Sequence, residues 1–397
     1  MTASDAVTLD AERVIGTYTR VPVVFVRGSG TCLYDVDGKE YLDFLTGLAV
    51  VSLGHSHPVV ADAIADQART LMHVSNLYYN TLQPRLAARL DALVGGGGRV
   101  FFANSGAEAN ECAIKLVRRY GQLNGGHDRF HVVTALGSFH GRTLATLAAT
   151  GQPEKHEAFQ PLPDGFRHVA LGDIGALEAA LDGRVCAVML EPLLGEGGVH
   201  PLPDGYLEAV RALCDEREVV LVVDEVQTGF GRTGEWFGFQ HADVRPDVVT
   251  MAKALGNGMP IGACWARDEV ADAFRPGSHG STFGGQPLAS RAALAVLDVM
   301  EAEAVPERAR VSGARLAAAL AGLDGVAGVR GAGLLLAAEL DSDLDARVVT
   351  AVSLELGLIV NAVTPTAIRL APPLLVSDDE LDAAIEILAA AITEVRA

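Results

Sequence analysis

From about residue 100 the chain alternates short, almost uninterrupted apolar runs with longer amphipathic stretches, and this alternation restricts the fold more than any other feature. The runs are Val100-Phe101-Phe102-Ala103, His131-Val132-Val133-Thr134, Val185 to Leu190, Val219 to Val223, Val248 to Met251 and Ala263-Cys264-Trp265. A strand apolar on both sides needs cover on both faces, so such strands separated by helices predict a mainly parallel α/β sheet with helices above and below it. The first 50 residues read differently: short strands at 23–26, 32–35 and 41–43, with a turn at Asp37-Gly38, form a small antiparallel piece. After an Ala/Leu-rich helical stretch at 285–302, strands at 334–336 and 358–360 and helices at 344–356 and 378–395 predict a second, smaller α+β lobe. The expected division is a large domain over 51–285, with 1–50 and 286–397 together as the small one. Gly95-Gly96-Gly97-Gly98 reads as a flexible loop.

With 397 residues the chain can bury a core of that size, and its 49% hydrophobic and 20% charged content is that of an ordinary globular protein. Lys+Arg 31 against Asp+Glu 50 gives a net charge of −19, which argues against a nucleic-acid surface and makes any arginine near a cavity stand out. Five cysteines are scattered singly, as suits core fillers in a reducing cytoplasm. The N-terminus lacks the pattern of a signal peptide, and no apolar run approaches a membrane span, so a cytoplasmic location is expected.

Two strand ends carry the chemistry. Lys253 follows the Val248–Met251 run and opens Lys253-Ala254-Leu255-Gly256-Asn257-Gly258, where a lysine can lose its proton and act as an amine nucleophile. Asp224 follows the Val219–Val223 run, where a carboxylate can hold a positive charge on a bound heterocycle. Such a lysine and such an aspartate are the two protein groups that pyridoxal phosphate chemistry requires. A phosphate would find backbone N–H groups at Asn104-Ser105-Gly106-Ala107, which opens a helix directly after a strand. Phe139 could stack on a flat ring and Arg142 could clamp a carboxylate. Glu196 lies in a glycine-rich loop after another strand, and Arg369 lies in an apolar strand where it needs a partner anion. His55-Ser56-His57 has no third ligand pattern, so no metal site is expected, and Gly328-Val329-Arg330-Gly331-Ala332-Gly333 stands before a strand rather than at a helix start, the wrong context for a dinucleotide loop.

These blocks, taken with Gly54-His55-Ser56-His57-Pro58, His73-Val74-Ser75-Asn76-Leu77, Gly195-Glu196-Gly197-Gly198, Asp224-Glu225-Val226-Gln227, His279-Gly280-Ser281-Thr282-Phe283-Gly284-Gly285 and Ile368-Arg369-Leu370-Ala371-Pro372-Pro373, give the chain its resemblance. It resembles the class III pyridoxal-phosphate aminotransferases over nearly its whole length, and within them the acetylornithine branch. The resemblance implies fold type I with a seven-stranded sheet, and pyridoxal 5'-phosphate as cofactor. It implies that Lys253 bonds to the cofactor and shuttles a proton, and that Asp224 keeps the pyridine nitrogen protonated. Phe139 and Val226 would sandwich the ring and Gln227 would lie near its phenolic oxygen. Ser105, Gly106 and Ala107 would bind phosphate, with Thr282 reaching it from the other subunit of a homodimer whose sites are shared across the interface. Tyr18 and Arg142 would meet the distal carboxylate of a small-molecule substrate, Arg369 would bind the carboxylate beside glutamate's amine and pair with Glu196 when the other donor is bound, and Ser281 would be a further substrate contact. The reaction implied moves the δ-amino group of N-acetylornithine to 2-oxoglutarate, a step of arginine biosynthesis; the alternative is another ω-aminotransferase, acting on ornithine, succinylornithine, 4-aminobutyrate or a lysine-pathway amine. Two positions depart from the family pattern: Asn257 stands where a third glycine is usual, and Gln286 where asparagine is commoner.

Overall fold

The computed structural model describes residues 2–397. Its central sheet has seven strands in the order Gly98–Ala103, Gly262–Arg267, Val248–Met251, Val220–Asp224, Val185–Leu190, His131–Ala135 and Phe166–Val169. All pairings are parallel except those of Gly262–Arg267, which runs against both of its neighbours. Successive residues of one strand enter different cores. Val220 and Val222 join Cys112, Val117 and Met189 on one face, whereas Leu221 and Val223 join Val188, Val249 and Trp265 on the other. That double burial is why the strands read as continuous apolar runs. Phe166–Val169, which the sequence did not reveal as a strand, is the sheet's edge; only Val169 is buried, so its apolar signal is weak.

Glycines 95–98 are more ordered than expected. Gly95, in a left-handed conformation, caps the helix Gln83–Val94, and Gly98 already belongs to a strand, where a Cβ would come within 2.4 Å of the Trp265 ring. The first strand at the N-terminus runs Phe25–Ser29 rather than 23–26. It forms a sheet with Cys32–Asp35, Glu40–Asp43 and, from far along the chain, Leu358–Ile359, which pairs parallel to Glu40–Asp43. A further antiparallel sheet comprises Val326–Ala332, Leu335–Leu340, Ala367–Leu370 and Asn361–Ala362, so Gly328 to Gly331 lie inside a strand. The helix Pro287–Ala302 packs on Pro58–Thr70 and Gln83–Val94. Cys112, Cys186, Cys214 and Cys264 are buried free thiols and Cys32 is partly exposed.

Six strands of the central sheet point the same way, so their C-terminal ends share one edge. Asp224 is the last residue of one such strand, and Ser105, Phe139, Glu191 and Lys253 follow the ends of others, the place where ligands bind in open α/β sheets.

Candidate active site

A cavity of about 440 Å³ opens at that edge, and Lys253, Asp224, Ser105, Gly106, Ala107, Phe139, Val226, Gln227, Arg142 and Glu196 all line it. Lys253 adopts φ 44°, the left-handed region that a residue with a side chain enters at a cost of about 1–3 kcal/mol. The turn holds it there: the N–H groups of Leu255, Gly256 and Asn257 donate to the carbonyls of Ala252, Lys253 and Ala254 at 2.9, 3.1 and 3.2 Å. Only glycine fits at 256, since a Cβ would meet the Met259 carbonyl oxygen at 2.0 Å. Burial pushes the Lys253 ammonium down to about 8, with Glu196 pulling the other way. The neutral amine is therefore reached near pH 8 and not only above 10.

Asp224 is 3% exposed. Its Oδ2 accepts from Asn110 Nδ2 at 2.7 Å and pairs with His140 Nδ1 at 2.8 Å, while Oδ1 accepts from the Val226 N–H at 3.0 Å. Burial opposes a charge on His140, but the hydrogen bond and the charge of Asp224 outweigh it and raise the imidazole's affinity for a proton. Asn110 also donates to the His140 carbonyl at 2.7 Å, closing a three-residue cluster. His140 Nε2 and Asn110 Oδ1 are buried and have no hydrogen-bond partner among the described residues.

The anion end is the start of the 20-residue helix Gly106–Gly125, capped by Ser105, whose hydroxyl accepts from the Glu108 N–H at 3.1 Å. The N–H groups of Gly106 and Ala107 belong to the first turn and have no intrahelical acceptor. Gly106 is obligatory for a different reason: a Cβ there would come within 2.7 Å of Val226 Cγ1. Beside this cradle lies Phe139, its N–H donating to Glu191 Oε1 at 2.8 Å. Glu191 is buried, which pushes its carboxyl up to about 7. Backbone N–H donors at one end, a buried carboxylate at the other, apolar groups between and a deprotonatable lysine fit pyridoxal phosphate.

Arg369 does not line the cavity but reaches its wall from the strand Ala367–Leu370. Its Nη1 lies 2.7 Å from Glu196 Oε1, 3.2 Å from the Gly195 carbonyl oxygen and 3.4 Å from Gln227 Oε1, and its Nε donates to Asn361 Oδ1 at 3.1 Å. Nη2 is buried without a partner among the described residues. Burial would raise the Glu196 carboxyl, but Arg369 holds it below its ordinary value. Arg142 is exposed at the mouth, its guanidinium 5.7 Å from the centre of the Phe139 ring, and forms no ion pair among the described residues.

Within the single chain three expected residues lie apart. Tyr18 is 75% exposed, with the Arg20 guanidinium over its ring. Thr282 is exposed outside the cavity. Ser281 accepts from Asn104 Nδ2 at 3.2 Å and from the Gly284 N–H at 2.9 Å, one residue removed from the cavity wall. Sequence reasoning missed Asn110, His140 and Glu191 as individuals, although His140 sits beside Phe139 and the other two lie a few positions from Ala107 and Glu196. The two departures have local roles. Asn257, at φ 44°, accepts from the Leu53 N–H at 2.8 Å and donates to the Gly54 carbonyl at 3.2 Å, tying the lysine loop to its neighbour. Gln286 precedes the helix Pro287–Ala302, and its Oε1 lies 3.1 Å from His73 Nδ1.

Comparison with known proteins places this geometry. The family described as "Aminotransferase class-III" matches residues 16–392. An acetylornithine aminotransferase of Caldanaerobacter subterraneus subsp. tengcongensis is 46% identical over 394 residues, covering 98% of this chain and 100% of that one. The crystal structure of an ornithine aminotransferase from Toxoplasma gondii superposes with a TM-score of 0.95 at 35% identity, covering 100% of this chain and 96% of the other. An acetylornithine aminotransferase from Elizabethkingia anophelis superposes with a TM-score of 0.88 at 33% identity, with 99% and 100% covered. The lysine, the buried aspartate and the anion cradle at one sheet edge, in a chain matched from end to end, make this protein a member of the class III aminotransferases, a transaminase that works with pyridoxal phosphate.

Proposed function

We propose that the protein transfers the δ-amino group of N-acetylornithine to 2-oxoglutarate, yielding N-acetylglutamate 5-semialdehyde and glutamate. The observation that carries this reading is the pairing of Glu196 with Arg369 at 2.7 Å at the wall of a cavity that is also lined by an arginine, Arg142, with no ion-pair partner among the described residues. One site must accept two donors: glutamate, whose amine stands beside a carboxylate, and N-acetylornithine, whose terminal amine has none nearby. Arg369 binds the carboxylate of the first. With the second, Arg369 faces methylene groups and Glu196 neutralises it. Arg142 meets the far carboxylate, about three bonds from the reacting carbon in glutamate and about four in acetylornithine, a difference that a long guanidinium arm absorbs; Tyr18 and Ser281, outside the single chain's cavity, are read as further substrate contacts of the complete site.

When bound, pyridoxal phosphate supplies a carbonyl for the donor amine and a ring that withdraws electrons. Lys253, neutral over a useful part of the range near pH 8, holds and returns the proton at the substrate carbon. Asp224, oriented by Asn110 and His140, keeps a positive charge on the ring nitrogen favourable. Phe139 and Val226 would hold the ring between them, Gln227 would serve its phenolic oxygen, and Ser105, Gly106 and Ala107 would hold the phosphate; all six line the cavity.

We also read the active unit as a homodimer in which Thr282 completes the partner's phosphate site. Supporting this, Leu77, Tyr78, Tyr79 and Phe283 are large apolar side chains more than half exposed, more than a monomer's surface leaves together without a partner. Residues 1–50 and 286–397 are read as one small lobe, supported by the pairing of Glu40–Asp43 with Leu358–Ile359, with Pro287–Ala302 as its bridge to 51–285.

The decisive experiment measures glutamate formed from 2-oxoglutarate with a panel of amine donors. N-acetylornithine should give the highest kcat/KM; a higher value with ornithine, succinylornithine or 4-aminobutyrate would transfer the assignment to that ω-amine.

A further inference from the structure

Arg330 and Arg369 stand on one face of the same sheet. Arg330 is in register with Ala337, and Ala337 with Arg369, so the two arginines are two strands apart, roughly 10 Å. Glu339, two residues beyond Ala337, shares that face. The loop that carries Glu196 runs across it. Arg369 holds the near end through Gly195 O and Glu196 Oε1, and Arg330 holds the far end, its Nε donating to the Gly198 carbonyl at 2.8 Å. Arg330 is itself fixed by Glu339, with Nη1 to Oε2 at 2.6 Å, and the other Glu339 oxygen accepts from the Thr366 hydroxyl. Immediately after the far grip the backbone is forced. Val199, wholly buried against Leu335 and Ala337, has φ 57°, a conformation a β-branched side chain adopts only under constraint.

We propose that Arg330, braced by Glu339, is a positioning residue that returns Glu196 to Arg369 and so sets the balance between ω-amine and α-carboxylate donors. This rests on the Glu196–Arg369 exchange proposed above. When an α-carboxylate takes Arg369, the near grip on the loop is lost while the Gly198 grip remains, and the loop keeps the shape from which Glu196 can swing back. Without Arg330 the turn relaxes toward an unstrained conformation at Val199, Glu196 spends less time on Arg369, and the donor that needs a neutralised arginine suffers. Arg330 touches neither the cavity nor Lys253, so its effect is on selection and not on proton transfer.

The test follows each half-reaction of the holoenzyme separately in single turnovers, with N-acetylornithine and with glutamate, alongside hydrogen exchange of residues 195–199. Arg330→Ala should lower kcat/KM for N-acetylornithine roughly tenfold, the weight of a charge-assisted hydrogen bond, while glutamate changes by less than about twofold and the 197–199 amides exchange faster. Arg330→Lys, which cannot serve Glu339 and Gly198 together, and Glu339→Gln should split the halves in the same direction, and they carry the test if Arg330→Ala does not fold. Equal slowing of both halves, or unaltered exchange at 197–199, overturns the proposal. Glu196→Gln separates the two ideas: if it splits the halves and the Arg330 variants do not, only the positioning role fails; if it slows both equally, the exchange itself fails and the positioning role with it.

Discussion

Arg369 and Glu196 form an ion pair whose two sides are buried unequally: the arginine side chain is 1% exposed, the glutamate 31%. A guanidinium that deep cannot give up its anion without receiving another, whereas a glutamate at the cavity wall can turn into water at small cost. Glu196 is therefore the half that moves and Arg369 the half that stays.

Arg369→Ala should weaken glutamate and 2-oxoglutarate by about 2–4 kcal/mol, the range for losing a buried charge-assisted contact, and should spare N-acetylornithine. Glu196→Gln should do the reverse. Half-reaction kinetics for each donor read both, and parallel losses with both donors would reduce the pair to a structural one.

Lys253→Ala should remove turnover by at least ~10²-fold while the folded protein still retains cofactor through the ring and phosphate contacts. A rate above about a tenth of the unmodified protein's would show that another group moves the proton.

The lowered lysine also predicts a pH dependence in the cofactor-free protein. Between about 8 and 10.5 the unfolded chain holds a proton on this amine that the folded chain has released, so folding stability gains with rising pH through that window; below about 8 the burial penalty is fully present. Lys253→Met should therefore stabilise the cofactor-free protein at pH 7, by on the order of 1–3 kcal/mol, with the advantage shrinking toward pH 10. Denaturant midpoints of both proteins across pH check this, and an advantage independent of pH would mean that the amine is charged in the folded state.

Asn110→Ala leaves the Asp224 carboxylate and the His140 carbonyl each short of a donor in a buried site. Turnover should fall about tenfold or more, with a thermal midpoint lowered by the loss of two buried hydrogen bonds. If kcat holds while stability drops, Asn110 supports the fold only.

At position 257 the order of stability should be Asn, then Gly, then Ala. Glycine loses the bridge to Leu53 and Gly54 but tolerates φ 44°, whereas alanine loses the bridge and is strained as well. Thermal midpoints of the cofactor-bound protein give the order directly.

A shared site predicts complementation. Mixing Lys253→Ala subunits with Thr282→Ala subunits creates dimers with one doubly defective site and one intact site. Activity of the mixture above both parents is expected; activity that never exceeds them would place Thr282 outside the partner's site.

The chain's own pattern of residues determined its strands, its helix starts and the two groups that matter most. Val220 to Val223 are apolar on both sides because both sheet faces are covered, and Lys253 and Asp224 stand out because each interrupts such a run where it must end. Local sequence encodes burial period and turn chemistry, so strand, helix start and glycine-rich loop could be read directly. Tertiary structure alone decided the company these residues keep. Asn110 and Asp224 are 114 positions apart, and Arg369 and Glu196 173; no local pattern marks Asn110, a polar residue inside a helix, as the partner of a strand-end carboxylate. The same holds for Phe166–Val169, whose edge position removed the apolar signal, and for Thr282 and Tyr18, which the folded chain leaves outside its own cavity. Contacts between distant residues follow from how strand ends and loops stack across the sheet edge, a geometry set by packing of the whole chain and not by the residues beside each group.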